Sequence, residues 1–313
     1  MTAPLVAIPA VDREALDRAD RVIAVMARLL ARLSPAPELV GGATPASHLA
    51  ALVARSVYRP AIAVLGSQGR VAPRARLGLL GQEDAALAAP GGRVGLDLPS
   101  IFAWVASGRF AIWISPAQID RQGNTNISRI GTGERPRPAL VGSRGLPDDA
   151  VSLPSGLYYV PAHGPRSVVA QVDFVSGVGD RRRLPPGSRA PGRPAWLVTD
   201  LGVFDFAGED GSMRAVAAFG PDGRDAIEAA TPFALGGPPA LDVIEPPTPA
   251  ELAALGAFDP LGVRAVEFER DPDRARALRA HLRTAEEAFL GGVGEDILAG
   301  LGLGLGLGRE ADR

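Results

Sequence analysis

The 313-residue chain contains no cysteine, which excludes disulfides, thiolate nucleophiles and cysteine-held metals together. It contains no lysine either. All 33 basic residues are arginine, so Schiff-base chemistry on a lysine amine is excluded as well. Histidine is scarce: His48, His163 and His281 stand far apart and form no HxH or HxxxH pair, so no metal site is expected. No excess of either charge is present, with 35 acidic residues and a net charge of -2, and neither a nucleic-acid nor a membrane partner is expected. No apolar run approaches the roughly 18 to 20 residues of a membrane span. The opening "MTAPLVAIPAVDREALDRAD" has no basic start and no long hydrophobic region, and a cytoplasmic location is the expectation.

What is present is 46% hydrophobic residues, enough for a large buried core, punctuated by glycine and proline. Residues 12–32 carry apolar side chains at Leu16, Val22, Ile23, Val25, Met26, Leu29 and Leu30, the spacing of an amphipathic helix with Asp12 placed as its cap. A Gly-rich turn leads to a second helix from about Pro45, and "PAIAVLG" (60–66) reads as a buried strand. Further on, "LPSIFAWVASG" reads as helix and "FAIWIS" (110–115) as strand. "SVVAQVDFVSG" (167–177) reads as a strand, "AWLVTDLGVFDF" (195–206) as two, and "SMRAVAAF" (212–219) as another. "DGRDAIEAATPFAL" starts as a short helix, and "TPAELAAL" and "DPDRARALRAHLRTAEEAFL" are helical. Alternating helices and strands give an α/β domain with a mostly parallel sheet. The expected organisation is a main domain over 1–240, a helical extension over 241–295 and a low-complexity Gly/Leu tail over 296–313.

Three glycine-bearing turns follow strand-like runs: "LGSQGR" (65–70), "VGSRGLPDD" (141–149) and "VSGVGD" (175–180). Such turns bring backbone N–H groups to an anion at strand ends, or are simply tight turns; none carries a phosphate-loop or dinucleotide fingerprint. The segment "AQIDRQGNTNISR" (117–129) is denser in polar groups. Gln118, Asn124 and Asn126 can each donate and accept, and Asp120 is either an acid–base group or, more commonly for Asp in a turn, a local structural acceptor. His163 reads as a loop residue with a base role as its alternative. "GDRRRLPPGSRAPGRP" (179–194), with Arg181, Arg182, Arg183, Arg189 and Arg193, reads as a solvated insertion, with phosphate binding as the alternative.

In order along the chain, "AQIDRQGNTNIS", "GSRGLPDD", "VDFVSGVG" and "VTDLGVFDF" resemble segments of the β subunits of family I CoA-transferases of the glutaconate CoA-transferase type. The likeness extends over residues 13–235. Within that family, "GSRG", "SGVG" and "LGVFDFAGEDGSMRAV" are most similar to a branch that hydrolyses a carbon–carbon bond in cyclic keto acyl-CoA substrates. The resemblance implies a single CoA-transferase-like domain, a mostly parallel sheet with helices on both faces, an α-subunit partner, and an acyl-CoA site between the two subunits. Coenzyme A enters as part of the substrate, and no other cofactor is implied. Substrate binding falls to Gln118, Asn124, Asn126, Gly142, Ser143, Arg144 and Gly145. Typical members place a nucleophilic Glu in the turn that here reads Gly66, Ser67 and Gln68. Without it, no catalytic residue is expected in this chain, and the carboxylate is expected from the partner. A non-catalytic scaffold and ordinary CoA transfer are the competing readings.

Overall fold

The computed structural model describes residues 12–66, 70–71, 94–131, 138–188 and 192–282. Asp12 caps helix α1 (Arg13–Arg32), its carboxylate accepting the Glu14 N–H at 3.0 Å. The apolar stripe of α1 is buried from Ala15 to Leu30. Strand β1 (Leu39–Gly41) follows, then α2 (Pro45–Val53), which opens with a Thr44/Ser47 capping box and ends in a π turn over Ala54–Tyr58. The chain continues through β2 (Ala63–Leu65), β3 (Arg70–Val71), β4 (Val94–Gly95), α3 (Leu98–Ala106) and β5 (Phe110–Ile114). Next come β6 (Gln118–Asp120), β7 (Thr125–Asn126), α4 (Leu146–Ser152), β8 (Gly156–Val160), β9 (Val168–Val169) and a 3₁₀ turn over Arg181–Arg183. The remaining elements are β10 (Pro194–Thr199), β11 (Gly202–Asp205), β12 (Arg214–Ala218), α5 (Gly223–Ala230), β13 (Asp242–Val243), α6 (Pro249–Phe258) and α7 (Ala265–Phe268).

Ten strands form one sheet in the order β13-β12-β11-β10-β8-β5-β1-β2-β3-β4. The central run β10-β8-β5-β1-β2 is parallel throughout. From β1 the chain moves outward to β2, then returns past β1 to β5, so the direction of winding reverses between β1 and β5. In open α/β sheets that reversal leaves a crevice at the strand carboxyl ends.

Alternation along the strands sorts side chains cleanly between two faces. Val40, Val64, Ala111, Trp113, Leu157, Tyr159 and Val198 pack on one face with α1 and α2. Tyr158, Val160, Leu197 and Phe204 pack on the other with Ile119 of β6, Val168 of β9 and Ile227 of α5. Leu39, Leu65 and Phe110 share that second side with Val105 of α3. The sheet is mostly parallel with helices on both faces, as expected.

One sequence expectation is corrected. The strand expected over 167–177 shortens to Val168–Val169, because the residues after it bend to meet 118–131. Beyond residue 240, β13 pairs with β12, and Ala254, Leu255, Val263, Phe268 and Leu282 pack in the cluster formed by α1 and α2. Buried ion pairs fasten this region, with Arg28 on Glu251 at 2.7 Å and Arg264 on Asp20 and Asp259 at 2.5 and 2.9 Å. The 296–313 tail lies outside the described residues.

Candidate functional site

The polar segment 117–131 is neither an exposed turn nor an open lining. It forms β6 and β7, which with β9 make a second, three-stranded sheet in the order β7-β6-β9 against the main one. Gln118, Asp120, Asn124, Thr125 and Asn126 are all buried. Asp120 accepts from the N–H groups of Gln122 and Asn124, both at 3.0 Å, and from the Asn124 carboxamide at 3.0 and 3.2 Å. Burial pushes its carboxyl above the usual carboxylate range, against these donors. The Asn124 Oδ1 accepts from Gly179 and Asp180 N–H at 3.0 and 3.1 Å. The Asn126 carboxamide donates to Gln118 Oε1 at 2.8 Å and the Arg129 carbonyl at 2.6 Å, and accepts from Ser128 and Arg129 N–H. Gln118 in turn binds Asp173, donating to its carboxylate at 3.1 Å and accepting its N–H at 3.1 Å.

Each of these side chains bonds to the protein itself: Gln118 and Asn124 brace 117–131 against 172–180, and Asn126 ties Gln118 to residues 128–129. Backbones meet closely at this joint. Gly123 has φ +75°, and a Cβ on Gly179 would lie 2.2 Å from the Gly123 carbonyl carbon.

What the brace presents is a row of hydroxyls. Ser128 Oγ lies 2.7 Å from Ser176 Oγ and 3.0 Å from Ser143 Oγ, and Ser176 Oγ also accepts the Ile127 N–H. Ser143 belongs to the turn Gly142, Ser143, Arg144, Gly145 that leads into α4. Gly142 has φ +84°, and Arg144 has φ +50°, the one non-glycine left-handed residue among those described. The Arg144 side chain is exposed and makes no ion pair with a described residue. Three of the expected substrate-binding residues, Gly142, Ser143 and Arg144, thus stand with Ser128 and Ser176 in one place.

The crevice between β1 and β5 has its own polar cluster, which the sequence did not reveal. Gly66, at the end of β2, is buried beside it, the neighbouring Leu65 carbonyl accepting Gly42 N–H at 2.8 Å; Ser67 and Gln68 lie outside the described residues. The Glu267 carboxyl, from the chain beyond residue 240, accepts Ala46 N–H at 2.8 Å and the Tyr159 hydroxyl at 2.5 Å, and Tyr159 is also 2.5 Å from the Thr44 hydroxyl. Burial pushes Glu267 and Tyr159 both upward. His163 sits between the hydroxyls of Thr199 and Thr231 at 3.1 and 3.0 Å, and burial lowers it to about 4. A ring so enclosed is a packed, neutral imidazole, in line with the loop reading. Among the described residues no three His, Asp or Glu side chains gather as a metal site, and no helix is long and apolar enough to cross a membrane.

No family model matches the chain. Among curated proteins, it is 35% identical over 144 residues to the cholesterol ring-cleaving hydrolase IpdB subunit of Rhodococcus jostii RHA1, spanning 44% of this chain and 54% of that protein. It is 26% identical over 173 residues to one of the subunits of the glutaconate CoA-transferase of Acidaminococcus fermentans, spanning 53% of this chain and 59% of that one. The chain therefore spans about half the length of the curated relatives it matches. The solved IpdAB structure from Rhodococcus jostii RHA1 matches more fully: TM-score 0.69 and 27% identity, over 80% of this chain and 98% of that chain. By sequence over about half of its length and by fold over about four fifths, this chain is similar to CoA-transferase-like subunits.

Proposed function

We propose that the chain is one subunit of a heteromeric CoA-transferase-like enzyme that opens a carbon ring of a cyclic keto acyl-CoA by hydrolysis, with an α-type partner supplying the catalytic carboxylate. The observation that carries this reading is Arg144: an exposed arginine held at φ +50°, where left-handed backbone costs about 1 to 2 kcal/mol, beside three linked serine hydroxyls. Strain of that kind persists where the side chain has work to do, and a planar guanidinium suits a carboxylate or a developing oxyanion. The kinship to a ring-cleaving hydrolase subunit supports the same reaction class.

In this reaction water adds to the ring ketone. The bond from that carbon to its neighbour then breaks, its electron pair passing to the neighbouring carbon as an enolate. A proton quenches the enolate, and the former ketone carbon leaves as a carboxylate. Donors fixed in advance stabilise the developing charge. Arg144, Ser143 and the backbone N–H groups of 143–145, which bond no described residue, are the donors this chain offers. The turn "LGSQGR" carries no carboxylate, so no glutamyl thioester forms on it. The reading calls for no metal or organic cofactor beyond the CoA of the substrate.

Co-expression with CoA-transferase α-type chains tests it. A stable complex that hydrolyses ring-keto acyl-CoA, and loses about a hundredfold in rate with Arg144→Ala, is the expected result. A complex that only moves CoA to free carboxylic acids, or whose hydrolysis ignores Arg144→Ala, would overturn it.

A further inference from the structure

The polar cluster in the crevice between β1 and β5 is a chain of hydrogen bonds with a definite order. Thr44 caps α2 at the carboxyl end of β1 and is half-buried, whereas Tyr159 behind it is fully buried. Glu267 enters from α7, one carboxyl oxygen accepting Ala46 N–H at 2.8 Å and the other lying 2.5 Å from the Tyr159 hydroxyl. Tyr159 Oη is also 2.5 Å from Thr44 Oγ1, which accepts Ser47 N–H at 3.2 Å. Ser47 Oγ, 3.1 Å from Thr44 Oγ1, is already filled by the N–H groups of Ala43 and Thr44. No arginine among the described residues pairs with Glu267. Arg264, at the start of α7, is spent on Asp20 and Asp259, and Arg18 of α1 on Glu14 and the Phe268 carbonyl. His48, further along α2, is neutral, since burial lowers it to about 4. A phenol has one proton to give. With Glu267 ionised, Tyr159 gives that proton to the carboxylate and accepts from Thr44, which then has only a lone pair left to offer. With Glu267 protonated, its O–H donates to Tyr159, Tyr159 donates to Thr44, and the Thr44 proton is left for a ligand.

We propose that Glu267, Tyr159 and Thr44 form a proton relay that opens on the crevice, with the Thr44 hydroxyl meeting the substrate and Glu267 and Tyr159 as positioning residues that set whether it donates. Its use in ring opening rests on the hydrolase reading above. There the partner's carboxylate activates water, and the enolate left by bond cleavage needs a proton on carbon. Thr44 gives its proton to that carbon, Tyr159 replaces the proton of Thr44, and Glu267 replaces the proton of Tyr159. Glu267 is left as a carboxylate and regains a proton from solvent through the same oxygens. Burial without a cation pushes its carboxyl upward, toward the protonated state the step starts from. Burial pushes the Tyr159 phenol up as well, so the phenol passes a proton along without losing one to solvent.

In the complex with an α-type partner, the pH dependence of ring-keto acyl-CoA hydrolysis tests the relay. The parent rate should fall on the alkaline side as Glu267 loses its proton. Glu267→Gln should remove that limb and lower kcat about a hundredfold with KM little changed. Thr44→Val and Tyr159→Phe should lose as much, and Thr44→Ser, which keeps both the hydroxyl and the helix cap, should recover most of what Thr44→Val loses. A parent rate with an unaltered alkaline limb in Glu267→Gln, or a parent rate in Thr44→Val, overturns the relay. Infrared difference spectra of the full chain between acid and alkaline pH read the carboxyl directly. A protonated-carboxyl band that persists to neutral pH should vanish in Glu267→Gln, and its absence from the parent chain also overturns the relay. That measurement needs no substrate, so a complex without ring-opening activity defeats the hydrolase reading while the infrared result decides the relay.

Discussion

Two polar regions share one face of the sheet and differ in where their hydrogen bonds go. Around Asn124 and Asn126 the side-chain donors and acceptors are spent within 117–131 and on Gly179 and Asp180. Around Arg144, across the Ser128–Ser143 hydrogen bond, the guanidinium is exposed and the backbone N–H groups of 143–145 bond no described residue. The first arrangement adds stability and fixes shape; the second forgoes stability and leaves groups free for a ligand. Polar density in a sequence therefore does not locate a binding site. Unspent polarity in the fold does.

The largest expected effect breaks the saturated region. Asn126→Ala removes a carboxamide with four hydrogen bonds at a fully buried position, stranding Gln118 and three backbone groups. Unfolding by denaturant should show a loss of about 4 kcal/mol. Asn124→Ala should cost about 2 kcal/mol, because Gly179 and Asp180 lose their anchor. Unchanged stability in that variant, measured by denaturant unfolding, would show that the backbone pairing holds this joint without the side chain.

The next effect is on pH. Burial lowers both His48 and His163 from 6.5 to about 4. The unfolded chain then holds protons that the folded chain refuses across that window. Their contribution is full above pH 6.5 and is lost as pH falls toward 4, on the order of 2 kcal/mol from each ring. Denaturation at successive pH values should show that His163→Gln lowers the proton uptake on unfolding near pH 5 by close to one, relative to the parent chain. An unchanged slope in that variant would show that His163 already titrates freely in the folded chain.

Much of the fold was legible because it follows from periodicity. The stripe of α1 and its Asp12 cap, the strands at 110–114 and 214–218, and the helices at 98–106 and 249–258 all lie where spacing and breakers put them. β8 was missed because Gly-Leu-Tyr-Tyr-Val is buried on both faces and shows no alternation. β6 was misread for the opposite reason. Its Gln118 and Asp120 alternate correctly with Ile119, but they are buried against another loop, and polarity there signals pairing instead of exposure. Glu267 could not be found from sequence, since its partners Ala46 and Tyr159 are brought to it only by tertiary packing. In the site, the turn at Gly142 to Gly145 was legible from its glycines, whereas the row of Ser128, Ser143 and Ser176 hydroxyls was not, because three separate segments meet there only in the fold.

The smallest effect is at Arg144. Glycine adopts φ +50° without the Cβ penalty but brings more backbone freedom to the unfolded chain, so Arg144→Gly should raise stability by no more than about 1 kcal/mol. Arg144→Ala keeps the penalty and should leave stability nearly unchanged, since the arginine side chain pairs with no described residue. Both variants should lose ring-opening activity equally in complex with the α-type partner, because both lack the guanidinium. That pattern, stability diverging while activity falls together, separates a side chain kept for its chemistry from one kept for its turn. If Arg144→Gly retained activity and Arg144→Ala did not, the backbone conformation would be what the site requires, and the strain at this position would have a structural origin.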